Sequence, residues 1–150
     1  MYRGVNNINL DAKGRLAIPT RYRDHLQQHC NGEMVVTIDT EERCLLIYPG
    51  PEWEDVQRQV EALPSLNPLT RRIQRLLIGH AVDIELDGSG RILLPAPLRD
   101  YAHLEKETVL LGQGHKFELW SEPHWVERRD SWLGEQSSQE IPDELKSLSL

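Results

Sequence analysis

Hydrophobic positions along the chain change period several times, and each change marks an element. Val5, Ile8 and Leu10 fall in an extended stretch, as do Val82, Ile84 and Leu86. Each stretch runs into a polar tetrad, Asp11-Ala12-Lys13-Gly14 or Asp87-Gly88-Ser89-Gly90. Both tetrads predict turns, because Asp bonds its own backbone and Gly accepts positive φ. Short apolar strands follow at residues 15–18 and 91–94. Pro19 and Pro95 stop them and open helices over about residues 20–28 and 96–103. Two more strands are expected in each half, at 34–38 and 44–48, then at 108–111 and 116–120. Pro51 opens a helix in which Trp53, Val56, Val60 and Leu63 recur at helical spacing. Asn67 and Pro68 read as the N-cap and first residue of a linker helix with Leu69, Ile73, Leu76 and Leu77 on its apolar face and Gly79 at its end.

The same order of elements occurs twice. Residues 11–23 align with 87–99, and five of the thirteen positions are identical: Asp11/Asp87, Gly14/Gly90, Arg15/Arg91, Pro19/Pro95 and Arg23/Arg99. Downstream, residues 33–37 align with 107–111. Leu45, Ile47 and Tyr48 align with Phe117, Leu119 and Trp120, and Pro51 and Trp53 with Pro123 and Trp125. The expected organisation is a first repeat at 1–63, a linker helix at 64–80, a second repeat at 81–132 and an acidic C-terminal tail at 133–150. A β-unit of about 60 residues exposes strand edges, and exposed edges pair. The fold class expected is therefore α+β, mainly β: a pseudo-two-fold β-barrel of two tandem repeats with short helices packed outside.

Net charge changes the picture only once it is localised. The total is −7, which by itself opposes binding to phosphates. Yet Arg3, Lys13, Arg15, Arg21 and Arg23 face only Asp11 and Asp24 in the first thirty residues. Arg71, Arg72 and Arg75 stand without acids in the linker, although such a cluster is most often a solvated helix face. A local basic surface is able to bind DNA even where the remainder is acidic and keeps a protein soluble. Cys30 and Cys44 form no disulfide framework and are expected reduced. Residues 1–7 hold no apolar stretch, and no run approaches the ~18–20 apolar residues that span a bilayer, so a cytoplasmic chain without membrane contact is expected. His25, His29 and Cys30 lie close together, but without a recognised metal spacing they read as a surface helix. The absence of a nucleophile-elbow, phosphate-loop or dinucleotide motif argues against an enzyme, and no cofactor or small-molecule substrate is expected.

The doubled Asp-x-x-Gly-Arg-x-x-(Ile/Leu)-Pro-x-x-x-Arg motif resembles the MraZ family of bacterial regulators, within the AbrB-like swapped-hairpin group. The resemblance spans roughly residues 1–132. It implies two AbrB-like half-barrels per chain, assembly into ring-like homo-oligomers, and binding to direct repeats in double-stranded promoter DNA of the division and cell-wall gene cluster. It also implies a cytoplasmic, nucleoid-associated location. The family's DNA-contacting loop maps onto residues 11–15 and 87–91. The candidate DNA-binding residues are then Lys13, Arg15, Arg91, Gly14, Gly90 and Arg3, with Asp11 and Asp87 as structural turn residues. Arginine suits bidentate recognition of guanine, and lysine suits a phosphate. The second loop departs from the first, with Ser89 for Lys13 and Pro97 for Arg21. The alternative is an oligomeric protein-interaction or antitoxin-like module without promoter recognition.

Overall fold

A computed structural model describes residues 1–135 and 141–150. Strands β1 (Tyr2–Asn9) and β2 (Arg15–Ala17) lead into helix α1 (Thr20–Cys30), then β3 (Glu33–Ile38), β4 (Leu45–Pro49) and helix α2 (Gly50–Glu61). Helix α3 (Pro68–Ile73) joins this half to β5 (Val82–Glu85), β6 (Arg91–Leu93), α4 (Ala96–Tyr101), β7 (Glu107–Gly114), β8 (Phe117–Ser121) and α5 (Glu122–Gly134). Of the acidic tail, residues 136–140 lie outside the described residues, and Asp143–Lys146 form a short exposed helix, α6.

The fold is α+β and mainly sheet. Six antiparallel strands run in the order β1-β7-β8-β4-β3-β5, and β2 pairs with β6 in a separate ribbon. The expected closed barrel is not found among the described residues, since β1 and β5 end the hydrogen-bonded order. The Asp turns explain the difference. They separate β2 and β6 from β1 and β5, so these two strands pair with each other and pack Leu16 and Ile92 on the core instead of continuing the six-stranded order.

Pairing crosses between the repeats. The first strand of each half pairs with the third strand of the other: Asn9 lies opposite Glu107, and Glu85 opposite Glu33. The last strands meet the same way, with Leu45 opposite Leu119, Leu46 opposite Glu118 and Ile47 opposite Phe117. In the ribbon Leu16 faces Ile92. These registers map onto themselves when the two repeats are exchanged.

Alternation along the strands divides the apolar side chains into two layers. One face of the sheet contributes Met34, Val36, Ile47, Leu110, Phe117 and Leu119 to a large core. That core is closed by Leu16 and Ile92 of the ribbon and by Leu26 of α1 and Leu98 of α4. On the opposite face, Val35, Leu46, Tyr48 and Trp53 form one cluster, and Val109, Leu111 and Trp120 join Cys44 in another.

β1, β7 and the linker helix differ most from the sequence expectation. β1 begins at Tyr2 rather than near Val5, because Tyr2 is anchored: its ring lies 4.4 Å from that of Phe117, and its hydroxyl is hydrogen-bonded to His25 Nδ1 at 2.8 Å. β7 is lengthened to match. The linker helix is not continuous to Gly79. After Ile73 it widens into a π-helical turn over Gln74–Ile78, closed by the Gly79 amide donating to the Gln74 carbonyl at 3.1 Å. The widening lets Leu76 reach the large core while Leu77 and Ile78 join the Trp53 cluster. Thr37 Oγ1 donates to the Leu77 carbonyl at 2.6 Å and pins the turn to β3.

Candidate nucleic-acid interface

Both turns close by the same chemistry. Asp11 Oδ1 accepts from the backbone amides of Lys13 at 2.9 Å and Arg15 at 2.8 Å, while Oδ2 accepts from Arg15 Nε at 2.7 Å. Asp87 Oδ1 accepts from the amides of Ser89 at 2.8 Å and Arg91 at 2.9 Å, and its Oδ2 from Arg91 Nε at 3.2 Å. Gly14 and Gly90 sit at φ +83° and +74°, where a side chain would be strained. The backbone amide of Arg15, aided by its guanidinium and the Lys13 amide, holds the Asp11 carboxyl below the usual aspartate range. The Arg91 amide does the same for Asp87.

A pH dependence follows. Because the folded-state pKa is lowered, these contacts are intact above the ordinary aspartate range near pH ~4 and are lost as pH falls through the folded value. Amide resonances of Lys13, Arg15, Ser89 and Arg91 should therefore shift together below roughly pH 4. In Asp11→Asn the first pair should no longer titrate while the second still does. Titration of all four in that variant would show that a different group governs the loops.

The ribbon sets the arginines side by side. Arg15 lies opposite Leu93 and Ala17 opposite Arg91, while the intervening Leu16 and Ile92 are fully buried. Alternation then puts Arg15, Ala17, Arg91 and Leu93 on the outer face, with the two arginines on a diagonal about 8 Å apart at Cα. The Leu94 amide donates to the Gly14 carbonyl at 2.9 Å, and the Ile18 amide to the Gly90 carbonyl at 3.0 Å. Each glycine turn is thus tied to the other repeat.

Two further arginines reinforce that tie. Arg99 Nε donates to the Leu94 carbonyl at 3.1 Å and its guanidinium lies over Gly14, 2.8 Å from where a Cβ would stand. Arg23 Nε donates to the Ile18 carbonyl at 2.5 Å and its guanidinium covers Gly90 in the same way. The sequence suggests a helix-surface or subunit-interface role for both. Their identity in the repeat alignment was a signal, but only the crossed pairing shows which loop each one meets.

Lys13, Gly14, Arg15, Gly90 and Arg91 thus come together with Asp11 and Asp87. Arg3 does not join them. It lies at the far end of β1, opposite Gln113, eight residues or about 25 Å from Asp11. The histidine cluster is spent on packing and hydrogen bonding, with His25 on Tyr2 and His29 Nε2 2.6 Å from Glu52 Oε1. Among the described residues no group of three or more His, Cys, Asp or Glu is placed to hold a metal ion. Among the same residues no helix is long and apolar enough to cross a membrane.

Both halves match one family model, described as "MraZ protein, putative antitoxin-like", over residues 1–76 and 77–145. The chain belongs to the MraZ family. MraZ relatives named transcriptional regulators align over the whole of both chains: 59% identity with the protein of Alkalilimnicola ehrlichii, 58% with that of Halorhodospira halophila and 56% with that of Coxiella burnetii. The match to the MraZ model in two consecutive pieces agrees with the internal duplication. The boundary between the pieces falls inside the π-helical turn.

Proposed function

We propose that the chain is a transcription regulator that binds double-stranded DNA through the outer face of the β2–β6 ribbon. One observation carries this: two arginines, each braced by an Asp through Nε, stand on one face of a two-stranded ribbon. The brace engages Nε of each guanidinium and does not occupy its two terminal nitrogens, and these suit guanine O6 and N7. The major groove is about 12 Å wide and admits such a ribbon. Lys13, at the edge, meets a phosphate, and Gly14 and Gly90 allow close backbone approach. Arg3 stays outside this surface. The exchange of first strands between repeats supports the AbrB-like swapped-hairpin description, with two repeats, a linker and an acidic tail. The chain is a binding protein rather than an enzyme, acting in the cytoplasm at the nucleoid.

One ribbon offers few contacts, and the chain is acidic overall. A ring-like homo-oligomer would present many ribbons to direct repeats in the promoter of the division and cell-wall gene cluster, and such avidity raises affinity about 10²–10⁴-fold where spacing fits. The test is binding to the upstream region of the protein's own gene across a salt series, with particle mass measured alongside. Affinity should fall about 10³-fold between 50 and 200 mM salt if six phosphates are engaged. A strictly monomeric protein indifferent to that region at low salt would refute the proposal. Salt-insensitive capture of a protein partner instead would favour the antitoxin-like alternative.

A further inference from the structure

The outer face of the ribbon is not symmetric in chemistry, although its backbone is. Beside Arg91 stands Ala17, and beside Arg15 stands Leu93. Leu93 is 58% exposed, whereas its neighbours in sequence, Ile92 and Leu94, are buried. A leucine held outward between two arginines is in contact with solvent on the surface that would meet the base edges. Its own core position is already filled, since the adjacent Ile92 supplies the inward side chain of β6.

Resting on the DNA-binding reading above, we infer that Leu93 is a specificity-determining residue that packs on the C5-methyl group of a thymine next to the guanine read by Arg15. The cross-strand pair places the two side chains about 5 Å apart at Cβ, somewhat more than the ~3.4 Å step between neighbouring base pairs, a difference that the long arginine side chain spans. Apolar contact with the thymine methyl is an established way to read the major groove. Ala17, too short to reach as far, leaves the Arg91 side without an equivalent contact. Together with Lys13 on one turn and Ser89 on the other, this gives a nearly two-fold ribbon a direction. A reader with a direction matches boxes repeated head to tail rather than a palindrome.

Deoxyuridine substitution tests this, because it removes only the methyl group. The full chain is titrated against its upstream duplex and against duplexes with each thymine of the repeat boxes replaced in turn. At one thymine per box the wild-type chain should lose about four-fold in affinity, the equivalent of one buried methyl group. Leu93→Ala should lose about as much on the unmodified duplex and show no further loss with deoxyuridine at that position. Its melting temperature and particle mass should match the wild type. Equal wild-type binding to thymine and deoxyuridine at every position overturns the inference, as does a persistent deoxyuridine penalty in Leu93→Ala. A changed particle mass would assign Leu93 to a subunit contact and likewise overturn it. If Arg15→Ala weakens binding while Leu93→Ala does not, DNA recognition stands and the methyl contact falls. If no protein binds any duplex at low salt, both fall.

Discussion

On the proposed function, a chain carrying Arg15→Ala and Arg91→Ala should keep its fold and particle mass and lose about 30- to 10⁴-fold in promoter affinity, from two proposed base contacts worth ~1–3 kcal/mol each. The fold survives because both side chains leave the outer face of the ribbon. The ion pairs lost with them lie near the surface, where solvent screens them and such pairs add little to stability. Asp11 and Asp87 still accept from the backbone amides of their own turns, so loop shape persists. The control is Lys13→Ala, which should weaken all sequences alike and flatten the salt slope by about one. Gel shift with specific and scrambled duplexes separates the two behaviours. Equal loss on both duplexes for the double variant would demote the arginines to phosphate contacts.

Phe117→Ala should lower unfolding stability by about 3–5 kcal/mol, the usual cost of emptying a large aromatic site. Phe117 lies opposite Ile47 where β4 and β8 join the repeats, and it is 1% exposed. Its ring touches Tyr2 and, at 5.1 Å, Tyr22. Tyr2 starts β1, and the Tyr22 hydroxyl donates to the Arg3 carbonyl, so the cavity would also slacken the end of β1. Surrounding strands from both halves limit how far the site can collapse. Urea denaturation followed by tryptophan fluorescence measures the change. A loss below about 1 kcal/mol would mean that Tyr2 and Tyr22 refill the space.

Much of this was legible because the chemistry is local. Asp, two residues and Gly specify a turn whatever surrounds them, and both tetrads form as expected. Apolar period and proline placed the strands and helices to within a few residues, and the duplication showed that neighbouring halves share one plan. Partners could not be read so easily. Each repeat has self-sufficient hydrophobic patterning, and nothing in residues 2–9 says that they pair with residues 107–114 rather than with a strand of their own half. The roles of Arg23 and Arg99 were hidden for the same reason. The closed barrel was an inference from exposed edges, and the separate β2–β6 ribbon absorbs two of those edges in another way. Arg3 counted toward a basic segment, yet proximity in sequence along a strand of eight residues is distance in space. The π-helical turn left no distinct signature, because Gln74, Leu76 and Leu77 suit an ordinary helix equally well.

The crossed pairing also governs birth on the ribosome. β1 is made well before its partner β7, which lies about a hundred residues later. At translation speeds of ~5–20 residues per second, the nascent strand waits roughly 5–20 s with no native neighbour. Its polar run of Arg3, Asn6, Asn7 and Asn9 suits that interval, since a sticky apolar strand left idle would find the same segment on an adjacent nascent chain.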